Sequence, residues 1–188
     1  MLCLADFETA ARDLLDPAVW DYIAGGAGDE RTMRANLTAF DRYTLRPRML
    51  SGVTQPQPAV DVLGARWAAP IGVAPTAYHT MVHPDGEVAT AAGAAAAGLP
   101  MVVSTFAGRA LADIAAATTT PLWLQVYCFK DRDQTRELAV LAARNNFQAI
   151  VGSGTKFVIS SSWVVTTIRR GRRGVGGGRS SLGRTSAF

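Results

Sequence analysis

Three short segments combine side chains able to bind and orient a small polar ligand. They are Pro75-Thr76-Ala77-Tyr78-His79, Ser104-Thr105-Phe106-Ala107 and Gln125-Val126-Tyr127. Each ends or follows an apolar run, and in parallel α/β folds the working residues sit just past the C-terminal ends of the strands. The twofold period of a strand puts Trp123, Gln125 and Tyr127 on one face, so an amide and a phenol point the same way. That pair suits a planar heterocycle beside an anionic substrate. It equally suits satisfying loop backbone, and the residues alone leave both readings open. Of the two histidines, His79 reads as a loop residue. His83 lies in a His83-Pro84-Asp85-Gly86 turn and reads as part of a helix cap. Asp85 and Glu87 fall in that helix's first turn, where the helix dipole favours acids. Cys3 and Cys128 make neither a zinc spacing nor a disulfide framework and read as reduced thiols.

The elements that must carry these segments follow from periodicity. Leu4, Phe7, Ala11, Leu14 and Leu15 are spaced as one helix face over residues 4–15. Asp16-Pro17 opens a second helix that Gly25-Gly26 ends, and Asp29 reads as the cap of a third, through about Ala39. Two extended pieces are expected at Tyr43–Leu45 and Ala59–Val62. From Ala69 apolar runs alternate with helices. The runs are Ala69–Ala74, Pro100–Ser104, Leu122–Tyr127 and Phe147–Val151. The helices are residues 85–97, a short one at Leu111–Ala115, and Asp131–Asn146. Strands so apolar are covered on both faces, and a spacing of about thirty residues per unit indicates βα repeats of a parallel sheet. Pro75-Thr76-Ala77 stands where a dinucleotide-binding fold would carry its glycine fingerprint, which disfavours that fold.

The chain has 188 residues, 48% hydrophobic and 18% charged, which fits a globular domain rather than a disordered chain. No apolar run is long enough to cross a bilayer, and the N-terminus lacks the basic region of a secretory signal. These features predict a cytoplasmic protein with no membrane partner. The formal charge of +4 is unevenly spread. Residues 1–151 carry −3, and residues 152–188 carry +7 with no acid at all. The basic segment holds Ser160-Ser161-Ser162, Arg169-Arg170-Gly171-Arg172-Arg173 and Gly176-Gly177-Gly178. It has no apolar period and no aromatic platform beyond Trp163, so nucleic-acid binding through it is not expected. The boundary is placed at Val151, and residues 152–188 read as a disordered tail or a shifted reading frame.

A set of segments in fixed order carries a resemblance. These are Trp20-Asp21-Tyr22-Ile23-Ala24-Gly25-Gly26-Ala27, Asn36-Leu37-Thr38-Ala39-Phe40, Leu45-Arg46-Pro47-Arg48-Met49-Leu50, Ala69–Ala77, His83-Pro84-Asp85-Gly86-Glu87, Gln125-Val126-Tyr127 and Lys130-Asp131-Arg132. From about residue 4 to Val151 the chain resembles the N-terminal half of the FMN-dependent 2-hydroxy-acid oxidases and dehydrogenases. The resemblance implies a (β/α)₈ TIM barrel behind N-terminal helices, with FMN at the C-terminal mouth. About the first three and a half units are covered, where a whole barrel needs about 250 residues.

By the same resemblance, Pro75, Thr76 and Ala77 lie along the flavin and donate backbone groups. Ser104 bonds the flavin, and Gln125 reads its polar pyrimidine edge. Tyr127 reaches cofactor and substrate, and Tyr22 binds the substrate carboxylate. The implied reaction oxidises a small 2-hydroxy acid to the 2-oxo acid, often in a homotetramer. Tyr78 and Phe106 are compatible with an aromatic substrate or with packing of the mouth. The family's histidine base, substrate arginine and phosphate loops have no match after Val151, where Gly152-Ser153-Gly154-Thr155-Lys156 follows. Little turnover is therefore expected of these residues alone. The competing expectation is a non-catalytic barrel fragment with weak or no flavin binding.

Overall fold

A computed structural model of the chain describes residues 3–50, 52–153 and 164–167. The Ser160–Ser162 run, the arginine cluster, Trp163 and the triple glycine lie outside the described residues. The chain divides into two units, Met1–Pro56 and Gln57–Phe188.

The first unit is helical. Helix α1 (Leu4–Arg12) starts where the Cys3 N–H donates to the Asp6 carboxylate at 3.2 Å. Helix α2 (Pro17–Ala24) is capped as its sequence predicts. Asp16 Oδ1 accepts the Ala18 N–H at 2.8 Å, Pro17 fills the first position, and Gly25 closes the end. Helix α3 (Arg31–Thr38) runs into a 3₁₀ turn, Ala39–Arg42. Its cap differs from expectation. Glu30, in the left-handed region at φ 56°, precedes the helix, and its carboxylate accepts the Gly26 N–H at 3.1 Å. No residue of these helices is buried, and Leu4, Leu14, Leu37 and Phe40 are exposed. The piece expected at Tyr43–Leu45 forms no strand.

The second unit opens with a hairpin, β1 (Val60–Val62) and β2 (Ala65–Trp67). Leu63 (φ 49°) and Gly64 (φ 80°) form its two-residue turn, with both residues at the positive φ that matches strand twist. Leu63 is the costly member of that pair, since a γ-branched side chain gains nothing from a left-handed backbone.

Beyond the hairpin lie β3 (Met101–Val103), α5 (Leu111–Ala116), β4 (Leu122–Tyr127), α6 (Arg132–Arg144) and β5 (Ala149–Ser153). Helix α4 (Gly86–Ala96) precedes β3. Strands β3, β4 and β5 are parallel neighbours in chain order, the βα pattern of an incomplete barrel sheet. The first apolar run contributes a single bridge. Val73 donates its N–H to the Pro100 carbonyl and accepts the Val102 N–H, alongside β3. Pro70 and Gly72 explain why so little of that run pairs, because proline lacks a donor and glycine weakens a strand.

A further strand, β6 (Val164–Thr167), pairs antiparallel with β5. It falls in the segment expected to have no order. The β-branched run Val164-Val165-Thr166-Thr167 was the signal for it.

The sheet has two faces with different contents. Met101, Val103, Leu122, Leu124 and Val126 form the core with Ala91, Ala94, Ile114, Ala142 and Phe147 from the helical side. The small alanines Ala91 and Ala94 of α4 let that helix pack closely against the sheet. The opposite face carries Trp123, Gln125 and Tyr127, whose parallel partners on β5 are Ala149, Val151 and Ser153. At the N-terminal end of the sheet Trp67 packs on Trp123 at 5.4 Å. There Trp123 Nε1 donates to Gln148, and Gln148 Nε2 donates to the Leu63 carbonyl. The hairpin thus plugs that end, and the C-terminal end is left as the mouth.

Candidate functional site

Gln125 is the centre of the mouth. It is 3% exposed, because β5 and the loop after β3 close over it. Its Oε1 accepts the Thr105 N–H at 3.1 Å, and its Nε2 donates to Ser153 Oγ at 2.9 Å. Thr105 Oγ1 also donates to the Gln125 carbonyl at 2.6 Å. Part of the amide's capacity therefore goes into the loop, as one of the two open readings holds. An amide offers two donors and two acceptor positions, so each end retains one for a ligand.

Ser104, 5% exposed, is the adjacent polar group. Its Oγ accepts the Phe106 N–H at 3.2 Å, which leaves the hydroxyl proton free to donate. Pro75, Thr76 and Ala77 run beside this loop between two anchors. Val73 is bonded to the β3 segment at one end, and the Tyr78 N–H reaches the Phe106 carbonyl at 3.0 Å at the other. Among the described residues nothing takes the N–H of Thr76 or Ala77.

Tyr127 ends β4, half-buried, and its phenol has no hydrogen-bond partner among the described residues. Phe106 lies 5.5 Å from its ring, and Tyr78 stacks on Phe106 at 5.9 Å. These three rings form one aromatic run along the loops. Phe106 and Tyr127 also line an open cleft with Cys128, Phe129 and Lys130. Tyr22 stands apart from this description: it is on α2, in the first unit, 62% exposed.

Among the described residues of the second unit, Glu87 is the buried charge, and the sequence pattern assigned it only to a helix dipole. Its side chain is fully buried on the first turn of α4. Its Oε1 accepts two backbone N–H groups, Gly108 at 2.9 Å and His79 at 3.1 Å. Burial alone pushes the carboxyl pKa up. The backbone N–H groups of Gly108, of Glu87 itself and of His79, with the His79 charge, outweigh that and hold it below its ordinary value. His79 Nδ1 is 3.0 Å from Thr90 Oγ1, and His83 Nδ1 accepts the Asp85 N–H at 3.2 Å. Both histidines are thus turned to α4, and His83 does help cap it. Sequence reasoning placed Thr105 in a candidate segment without its bonds to Gln125, and missed Ser153 and the buried role of Glu87. Ser153 was findable: it lies two residues past Val151, in register with Tyr127.

The mouth's donors fit a flavin. A flat heterocycle with alternating carbonyl and N–H groups along one edge needs mixed donors and acceptors in a row. Ser104 and Gln125 offer such a row, and the unpaired N–H groups of Thr76 and Ala77 lie alongside.

Comparison with known proteins agrees with that chemistry. A family described as "FMN-dependent dehydrogenase" matches residues 11–153. The chain is 38% identical to a 4-hydroxymandelate oxidase of Amycolatopsis orientalis, over 91% of this chain and 46% of that protein. That match spans 171 residues, so it continues past the break expected at Val151. It is also 38% identical to 2-hydroxyacid oxidase 1 of Homo sapiens, over 80% of this chain and 41% of that one. A crystal structure of mandelate oxidase with (S)-4-hydroxymandelic acid superposes with a TM-score of 0.77 at 39% identity, covering 81% of this chain and 42% of that one. The chain spans less than half the length of these relatives. Matched over most of its length in sequence and in its partial barrel, the chain belongs to the FMN-dependent dehydrogenase family.

Proposed function

We propose that this chain forms the flavin-holding side of an enzyme that oxidises a 2-hydroxy acid to the 2-oxo acid. The observation that carries the reading is the buried Ser104–Gln125 pair at the strand ends, beside the unpaired N–H groups of Thr76 and Ala77. FMN, when bound, supplies the two-electron acceptor chemistry. Ser104 and Gln125 hold its polar edge, and the Pro75-Thr76-Ala77 backbone lies along the ring. Tyr127 presents an unpartnered phenol to the substrate side, and Tyr22 is assigned to the substrate carboxylate. Lys130, in the same cleft as Tyr127, adds positive potential that favours an anionic acid.

The aromatic run Tyr78–Phe106–Tyr127 favours an aryl 2-hydroxy acid over a short aliphatic one. The names of the mandelate oxidase relatives point the same way. A base must take the substrate hydroxyl proton. Both histidines of this chain are engaged at α4, so we assign neither as that base. These 188 residues are accordingly proposed to bind FMN with little or no turnover.

The test is the full chain mixed with FMN and then with mandelate or glycolate, followed by flavin absorbance without oxygen. The expected result is a bound-flavin spectrum perturbed by mandelate more than by glycolate, with slow or no bleaching. Rapid bleaching would show that a base is present, and no bound flavin would overturn the reading.

A further inference from the structure

Glu87 is the buried carboxylate that the proposed reaction does not use. Its surroundings are built for close approach. Gly86 is buried at φ 52°, and a Cβ there would lie 2.7 Å from Thr80 Cγ2. A Cβ on Gly108 would likewise strike Thr80, at 2.7 Å from Cγ2. The loop after the first apolar run and the loop after β3 therefore meet at α4 with room for glycine only. At that point one atom, Glu87 Oε1, accepts an N–H from each loop, His79 at 3.1 Å and Gly108 at 2.9 Å.

Both loops carry the groups assigned to the flavin. His79 directly follows Pro75–Tyr78. Gly108 follows the turn in which the Ala107 N–H donates to the Ser104 carbonyl at 3.1 Å and the Phe106 N–H donates to Ser104 Oγ. The Tyr78 N–H bond to Phe106 is the other tie between the loops. Without Glu87 the loops keep that hydrogen bond and the Tyr78–Phe106 ring stack, and the spacing between the Thr76–Ala77 backbone and Ser104 is less firmly held.

We propose that Glu87 is a positioning residue of the flavin site: through Oε1 it holds the Pro75–His79 and Ser104–Gly108 loops at the spacing that lets both contact one planar ligand. This inference rests on the reading of those loops as the FMN site. Among the described residues its Oε2 has no hydrogen-bond partner, so the side chain is set for two donors at one oxygen rather than for a cation bridged between two oxygens.

The test uses the full chain as wild type, Glu87→Gln and Glu87→Ala. Hydrogen exchange of the free protein reads the clamp without flavin. The His79 and Gly108 amides are expected to exchange at least about tenfold faster in Glu87→Ala and by a smaller factor in Glu87→Gln, while the Leu124 amide in β4 is unchanged. Titration with FMN then reads the consequence. Its dissociation constant is expected to rise at least about tenfold in Glu87→Ala and less in Glu87→Gln, which keeps an acceptor oxygen and the native shape. At saturating FMN, the visible absorption of flavin bound to Glu87→Gln is expected to differ from wild type. A role confined to stability would leave that spectrum unchanged. Unchanged exchange at the two amides overturns the clamp. Faster exchange with unchanged FMN affinity and spectrum overturns its role at the flavin. If the wild type itself takes no FMN, the functional reading fails and this role fails with it. The exchange data then still report separately whether the clamp exists.

Discussion

A buried amide or carboxylate is costly unless each of its groups finds a partner, and that cost explains the two best-defined residues here. Gln125 is buried by β5 and made tolerable by Thr105 and Ser153. Gln125→Leu should therefore strand the Thr105 N–H and lower stability by about 1–3 kcal/mol, read by urea unfolding. Glu87 makes a second prediction, in pH. Its pKa is depressed in the folded protein, so its contribution is present above the unfolded-state value of about 4.3. It is lost as pH falls through that value towards the folded one. Stability should drop more steeply below about pH 4.3 in wild type than in Glu87→Gln, which cannot titrate, and parallel urea-midpoint curves would contradict this. The shared face of Gln125 and Tyr127 was legible from strand period, and Ser104 from its place at the end of an apolar run. Glu87 was not, because a first-turn acid has a sufficient local explanation in the helix dipole, and its two backbone donors come from distant loops.

At the scale of elements, legibility followed the strength of local signals. Helix α2 was readable at both ends, from Asp16-Pro17 to Gly25, because each cap residue acts within its own turn. Strand β4 was readable because a six-residue apolar run covered on both faces leaves little alternative. The hairpin's second strand, β2, was missed because its Leu63-Gly64 turn lacks the usual Asn or Asp at the first position. Strand β6 was missed because the composition of its surroundings outweighed four β-branched residues. The junction at Thr80 gives a prediction of this scale. Gly86→Ala should cost about 2 kcal/mol or more, from a left-handed alanine and a clash with Thr80. Adding Thr80→Ala should restore the clash part and not the backbone part. Full restoration, measured by the same unfolding, would show that the φ of 52° is not enforced.

For the whole molecule, burial is concentrated in the second unit. Leu124, 1% exposed between the helices and the sheet, sits in its core. Leu124→Ala should cost about 2–5 kcal/mol. The helices of the first unit bury no residue, so their amides should exchange much faster than those of β3 and β4. A parallel sheet with one face packed by helices and the other carrying a polar row at its mouth is the arrangement that makes a flavin site plausible chemistry here. That arrangement depends on order in space rather than on any one segment. The βα period revealed it in the sequence. The spacing between the loops, which decides whether one ring touches both, emerged only with the fold.

The most direct measurement is a fluorescence titration of FMN with the full chain, as wild type and as Ser104→Ala and Gln125→Leu. The account predicts saturable quenching at one flavin per chain, with affinity at least about tenfold weaker in each variant. Absence of saturable quenching, or wild-type affinity in both variants, would contradict it.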